Sequence, residues 1–222
     1  MSIFPDAPPR PTLRRAALLL LPALLAAAGA RADTVSFKVT DQGGRPLIDA
    51  VVLAVPAKPP PPPRAARVAI EQKDRDFLPF VTAVQVGTAV TFPNKDPMLH
   101  HVYSFSPAKV FEIKLNATES PSVLFDKPGP VALGCNIHDW MEAYIYVAPT
   151  PYFARTDAQG NARLTVPAGA YSLEAWHPYQ TGAPPPAAQV SVAGSRSQAF
   201  TLPVSVPQRK PKPPHDPKQY GG

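Results

Sequence analysis

The chain has 222 residues, which is enough for one or two domains. Its 32 prolines exclude a mainly helical fold, because proline lacks a backbone donor and breaks helix interiors. The formal net charge is +6, but the basic excess lies at the two ends of the chain and leaves the part between them near neutral, so we expect no nucleic-acid partner.

The first 32 residues have the pattern of a secretory signal peptide. Two arginines precede an apolar run over 16–28, and Ala30-Arg31-Ala32 has the small-x-small pattern of a cleavage site. The run is short for a membrane span, although an uncleaved anchor is the alternative. We therefore predict an exported, periplasmic protein whose mature chain begins at Asp33 and has no stable membrane span.

Short strands separated by turn residues are predicted along the rest of the chain. Residues 34–55 have the alternation of a β-hairpin, and the proline run within 58–65 is typical of a stiff spacer. Strand-like segments recur through 66–147 and 148–205, and 206–222 is expected to be a disordered basic tail. The predicted fold class is all-β, with a sandwich or barrel in the central segment.

The chain has one cysteine, Cys135. An unpaired cysteine in an exported protein is an intermolecular partner, a reactive thiol or a metal ligand. It begins the segment Cys135-Asn-Ile-His138-Asp-Trp-Met141, which spaces a thiolate, an imidazole and a thioether three residues apart. These are the donors of a blue-copper centre, whereas a closed zinc site would need further cysteines or histidines.

A trigonal copper site needs a second histidine, and His100 and His101 are the upstream candidates. Side chains alternate between the two faces of a strand, so only one of them can face the site. If Val102 points inward, His100 shares its face. His100 is therefore the predicted ligand, and His101 is the alternative.

These motifs resemble the cupredoxins over residues 66–147, and the short spacing from His138 to Met141 is closest to that of amicyanin. The resemblance implies a Greek-key β-sandwich that holds one type 1 copper through His100, Cys135, His138 and Met141. It also implies that electrons pass through an exposed edge of His138. His101 stands where these cupredoxins usually have an asparagine that ties the two ligand loops together, and its imidazole could donate a hydrogen bond there.

The segments on either side of the central one resemble a different module. Residues 33–57 and 148–205 are similar to carboxypeptidase regulatory-like domains, which implies a second, prealbumin-like β-sandwich that is discontinuous in sequence. The whole chain also resembles exported bacterial proteins named as methylamine utilization proteins.

The predicted function is single-electron transfer through Cu(II) and Cu(I), with a periplasmic redox protein as donor or acceptor. We do not predict an enzyme, because a copper oxidase needs additional His-x-His pairs that the sequence lacks. A copper chaperone or sensor is the main alternative, and a metal-free scaffold or adhesion sandwich is a third.

Overall fold

The computed structural model describes residues 32–58, 67–116, 119–208 and 211–212, and this part of the chain is all-β. The strands, in chain order, are β1 (Ala32–Asp41), β2 (Val51–Pro56), β3 (Val68–Ala69), β4 (Glu71–Lys73), β5 (Asp76–Leu78), β6 (Val81–Gln85), β7 (Thr88–Thr91), β8 (His100–Ser106), β9 (Lys109–Leu115), β10 (Ser122–Phe125), β11 (Gly129–Gly134), β12 (Glu142–Ala148), β13 (Phe153–Arg155), β14 (Asn161–Pro167), β15 (Gly169–Trp176), β16 (Ala188–Val192) and β17 (Arg196–Leu202).

Three predicted segments lie wholly or largely outside the described residues. They are the signal peptide, apart from Ala32 at the start of β1, most of the proline-rich spacer and most of the basic tail. All three stay predictions. Within the described ranges, no helix is long and apolar enough to cross a lipid bilayer.

The first and last parts of the chain form one sandwich. One sheet has the strand order β14-β1-β17 and the other has β13-β2-β15-β16. Alternate apolar residues of both sheets meet in one core, for example Val35 and Leu164 from the first sheet with Ala54 and Leu173 from the second. This alternation is what the sequence predicted for a sheet with one buried face.

The middle of the chain forms a second sandwich. Its sheets have the orders β10-β7-β3 and β6-β12-β11-β8-β9, and a separate two-stranded hairpin consists of β4 and β5. Phe92, which follows β7, and Phe125 of β10 pack with Leu133 and Ile145 of the larger sheet, and the same core contains Cys135. The centre described below therefore lies at the edge of this core.

The hairpin predicted over 34–55 is wrong, although both of its strands exist. β1 pairs with β14 and β17, whereas β2 pairs with β13 and β15 in the opposite sheet. The chain crosses between sheets through a loop in which Asp49 has a φ of 65°. Local alternation predicts strands but not their partners, and β2 is buried because it is central in its own sheet.

The two sandwiches share a buried contact. Val51 and Leu53 of β2 lie against Val81 of β6 and Ala148 of β12, and all four are at most 1% exposed. Aromatic rings continue the contact: those of Tyr146 and Trp176 have centroids 5.1 Å apart, and those of Phe80 and Tyr179 are 5.8 Å apart. The centre of the contact is buried and apolar, so the sandwiches are expected to support each other.

Leu53→Ala should lower the free energy of unfolding of both sandwiches together, by about 2–5 kcal/mol, because it leaves a cavity in their shared contact. Urea unfolding checks this by the emission of Trp140 in a Trp176→Phe chain and of Trp176 in a Trp140→Phe chain. Ile48→Ala is the control, since Ile48 is 52% exposed and should change stability by no more than about 0.5 kcal/mol. Separate midpoints for the two tryptophans would contradict the expectation.

Candidate metal centre

Two loops of the central sandwich meet at its edge. His100 is the first residue of β8, and Cys135 directly follows Gly134 at the end of β11. Gly134 pairs with Tyr103, and a Cβ atom at Gly134 would lie 2.6 Å from the tyrosine ring. Gly134 therefore leaves room for the Tyr103 ring beside the ends of β8 and β11, and a larger residue would force that ring to move.

His100, Cys135 and His138 form a compact, buried group. Each offers one donor atom, and these atoms lie within 4.8 Å of one another; no other such group of three or more His, Cys, Asp or Glu residues occurs among the residues that the structure describes. The Sγ of Cys135 is 3.8 Å from Nδ1 of His138, and the two imidazole centroids are 5.0 Å apart. The side chains are 1%, 3% and 0% exposed in chain order.

The three residues offer donor atoms that suit a metal ion. Nε2 of His100 is 2.7 Å from Oδ2 of Asp96, and its Nδ1 is buried without a hydrogen-bond partner. Buried polar atoms are rarely left without a partner, so Nδ1 is a ready donor to an ion. Bond lengths of about 2.3 Å to sulfur and about 2.0 Å to nitrogen, as for zinc, place donors about 3.7 Å apart at 120°. The observed separation of 3.8 Å between Cys135 and His138 agrees with this value.

The surroundings of Cys135 favour the thiolate, which is the form that binds metals. Burial raises the pKa of the thiol, but His100 and three backbone amides outweigh burial, so the pKa is lowered. The amides are those of His101, Ile137 and His138. They come from both ligand loops, so both loops stabilise the sulfur anion.

The two histidines differ in their electrostatics. Burial lowers the pKa of His138 to about 4, helped by the charge of His100, so its ring is neutral near pH 7 and can donate a lone pair. Burial also acts to lower the pKa of His100, but the Cys135 sulfur and the Asp96 carboxylate outweigh burial and raise it. A cation held by His100 and the sulfur would therefore compete with protonation of that ring.

Met141 is placed in the same core as Cys135 and is 2% exposed. Its backbone N–H donates to the carbonyl of His138 at 2.9 Å, which closes the ligand loop into a turn. The turn places His138 and Met141 on one short segment. Met141 therefore shares a core with Cys135 and a turn with His138, and its role as a ligand stays a prediction.

Asp96 is a site residue that the sequence analysis missed. One of its carboxylate oxygens accepts the backbone N–H of Asp74 at 2.7 Å, and the other accepts that of Arg75 at 2.9 Å and contacts His100. Burial raises its pKa, but these contacts outweigh burial and lower it, so Asp96 is a carboxylate. A carboxylate bonded to the remote nitrogen of a ligand histidine fixes the ring orientation and raises its basicity. The only indication of this contact in the sequence is that Asp96 lies four residues before His100.

The turn that Asp96 binds is the tip of the β4–β5 hairpin. Asp74 and Arg75 have φ values of 54° and 58°, which is the type I′ geometry of a two-residue hairpin loop. Such values are unfavourable for residues other than glycine, asparagine and aspartate. The two hydrogen bonds to Asp96 therefore hold a strained tip against the metal centre.

His101 lies outside the donor group and links the two loops. Its Nδ1 is 2.9 Å from Nδ2 of Asn136, and its Nε2 is 2.7 Å from Oε1 of Glu112. With the amide of Asn136 as donor, the histidine accepts across the gap between the loops. The sequence predicted that His101 could link the two loops by donating a hydrogen bond. The link is present, but His101 accepts the hydrogen bond from Asn136.

The expected exposed edge of His138 is wrong, because this side chain is 0% exposed. Trp140 covers it, with ring centroids 5.1 Å apart, and the indole Nε1–H donates to the carbonyl of Arg75 at 3.2 Å. The hairpin β4–β5, which supplies that carbonyl, has no apolar alternation in its sequence and was not predicted. Tyr144 belongs instead to the contact between the sandwiches.

Neither a model of a known protein family nor a curated protein matches the chain. Among solved structures, a Cu-containing nitrite reductase from Thermus scotoductus is 26% identical over 39% of this chain and 25% of its own, with a TM-score of 0.36. A purple cupredoxin from Nitrosopumilus maritimus is 23% identical over 36% of this chain and 99% of its own, with a TM-score of 0.33. Amicyanin from Paracoccus versutus is 18% identical over 45% of this chain and 99% of its own, with a TM-score of 0.35.

The chain thus spans about a quarter of the reductase, and all three TM-scores are below 0.5. The assignment of the centre therefore rests on its own geometry. A thiolate and two imidazoles, buried together with their donor atoms within 4.8 Å of one another, support a single copper site.

Asp96→Asn should weaken copper affinity about 10- to 100-fold, because His100 loses the carboxylate that orients it. Competition with a chelator checks the affinity. The matched control is Glu112→Gln, which removes a carboxylate beside the other histidine, His101, and should leave the affinity unchanged. Equal effects of the two substitutions would contradict a specific role for Asp96.

Proposed function

We propose that the chain is a type 1 copper protein with a cupredoxin-like central sandwich, and that it carries single electrons between other proteins. The single observation that carries this proposal is the buried, closely spaced group of His100, Cys135 and His138. A His₂Cys plane with a weak axial methionine is the donor set of blue-copper electron carriers. Met141 is the axial donor in this proposal.

The bound ion would supply the redox chemistry, alternating between Cu(II) and Cu(I). The protein contributes a fixed geometry, because Asp96 orients His100 and the turn at His138 fixes the ligand loop. Backbone amides directed at the Cys135 sulfur withdraw charge from the thiolate, which is one way a protein sets a reduction potential. A site that changes little between the two oxidation states suits rapid electron exchange.

The burial of the ligands favours a carrier over the chaperone alternative. A chaperone passes its ion on by ligand exchange, so a donor from the recipient must reach the metal. His100, Cys135 and His138 are at most 3% exposed, and the hairpin tip is bonded to Asp96 beside His100 and to Trp140 beside His138. An electron can cross the covering side chains, whereas a ligand cannot.

Export and the partner are part of the same proposal. The leader-like first 32 residues support a periplasmic location, and the partner would be another exported one-electron carrier. We propose no catalytic role, because the buried ligands leave little surface at which a substrate could bind the metal.

Adding Cu(II) to the purified mature chain should produce an intense blue absorption from thiolate-to-copper charge transfer, and Cys135→Ser should abolish it. Absorption and electron paramagnetic resonance spectra, with metal content, check this. Met141→Leu is the companion variant and should keep the blue band while raising the reduction potential, because the axial thioether is lost. An unchanged metal content in Cys135→Ser would favour the metal-free scaffold.

The adjacent histidines provide a second test. His100→Ala should remove the blue band, whereas His101→Asn should keep it, because only His100 lies with the sulfur and His138. The same spectra, recorded on both variants at equal copper loading, show which of the two histidines binds the copper. Loss of the band in His101→Asn alone would overturn the ligand set.

A further inference from the structure

The buried position of His138 raises the question of how an electron reaches the site. Its ring is 0% exposed, so a partner cannot touch it directly. Electron tunnelling weakens steeply with distance, and it is stronger through atoms in contact than across a gap. A route to the surface therefore needs a side chain that touches His138 and also reaches solvent.

Trp140 meets both conditions. Its ring centroid is 5.1 Å from that of His138 at an interplanar angle of 54°, which is within the range of direct aromatic contact. The residue is only partly buried, so part of Trp140 is accessible to solvent. Trp140 thus bridges the covered ligand and the surface.

The indole is also held in place. Its Nε1–H donates to the carbonyl of Arg75 at 3.2 Å, and the guanidinium of Arg75 lies 5.8 Å from the ring centroid. The amide of Arg75 is bonded in turn to Asp96, which contacts His100. The ring therefore has a fixed orientation relative to both ligand histidines.

We propose that Trp140 is the residue through which electrons enter and leave the copper centre. This inference rests on the proposed function. A reduced one-electron carrier that contacts the indole gives up one electron, which crosses Trp140 and His138 and converts Cu(II) to Cu(I). Oxidation runs the same route in reverse. Trp140 supplies electronic coupling and is itself neither oxidised nor reduced, and no proton or atom moves.

The same arrangement would suit a shield that keeps partners away from His138, and the two roles give opposite results. Trp140→Leu removes the π system and opens space above His138. If Trp140 is the route, electron exchange slows; if it is a shield, exchange becomes faster.

The test uses the full-length copper-loaded protein and the hexacyanoferrate couple, with rate constants measured in both directions by stopped flow. We expect Trp140→Leu to slow exchange by about an order of magnitude or more while the blue spectrum is kept. The reduction potential of each variant is measured as well, so that the rates are compared at equal driving force. Trp140→Phe, which retains an aromatic ring, should restore most of the rate. Trp176→Phe is the control and should leave the rate unchanged, because that ring packs on Tyr146 at the contact between the sandwiches.

The outcomes separate this inference from the function on which it rests. A wild-type chain that binds no copper, or shows no reversible couple, overturns the proposed function and the inference with it. A blue, reversible protein whose exchange rate is unchanged or higher in Trp140→Leu overturns the role of Trp140 alone.

A fluorescence measurement tests the placement of the indole independently of electron exchange. In a Trp176→Phe chain, Cu(II) should quench the emission of Trp140 strongly. In a Trp140→Phe chain, it should quench Trp176 much less. Equal quenching in the two chains would overturn the proposed contact.

Discussion

The centre depends on three polar donors being forced together inside an apolar core. The Cys135 sulfur and the imidazoles of His100 and His138 are almost fully buried, and Nδ1 of His100 has no hydrogen-bond partner. Burying a polar atom without a partner is costly, so Nδ1 of His100 needs a compensating ligand. A metal ion satisfies all three donors at once, which explains why the core tolerates them.

The surrounding structure holds these donors from two sides. On one side, Asp96 binds His100 and the tip of the β4–β5 hairpin with a single carboxylate. On the other side, His101 joins the loop of Asn136 to Glu112 on β9. Adjacent histidines on one strand thus serve different purposes, because strand alternation directs His100 toward the sulfur and His101 away from it.

The sequence predicted the parts of this centre that have a local signal. The three-residue spacing from Cys135 to His138 and the alternation around Val102 give the donors and their face. The covering hairpin has no such signal, since β4 and β5 have three residues each and only Phe77 enters the core, so no alternating pattern marks them. The hairpin is held by that one buried ring together with Asp96 and Trp140. The burial of His138 follows from that covering, so sequence alone could not predict it.

The predicted hairpin over 34–55 failed for a related reason. Alternation fixes which face of a strand is buried, but its partner is set by the whole fold, and here β1 and β2 belong to opposite sheets. The chain must therefore cross the sandwich before it enters the copper-binding segment at β3, and it returns through β13. The shared contact at Leu53 and Ala148 lies near these two crossings.

This contact also bears on the role of the second sandwich. β12 begins one residue after Met141, and its other end lies in the contact with β2. A rigid strand that joins the ligand loop to a second folded unit restricts the movement of that loop. An electron carrier benefits from such restriction, because ligands that hardly move between oxidation states present a small barrier to exchange, whereas a metal donor would need a loop that can open.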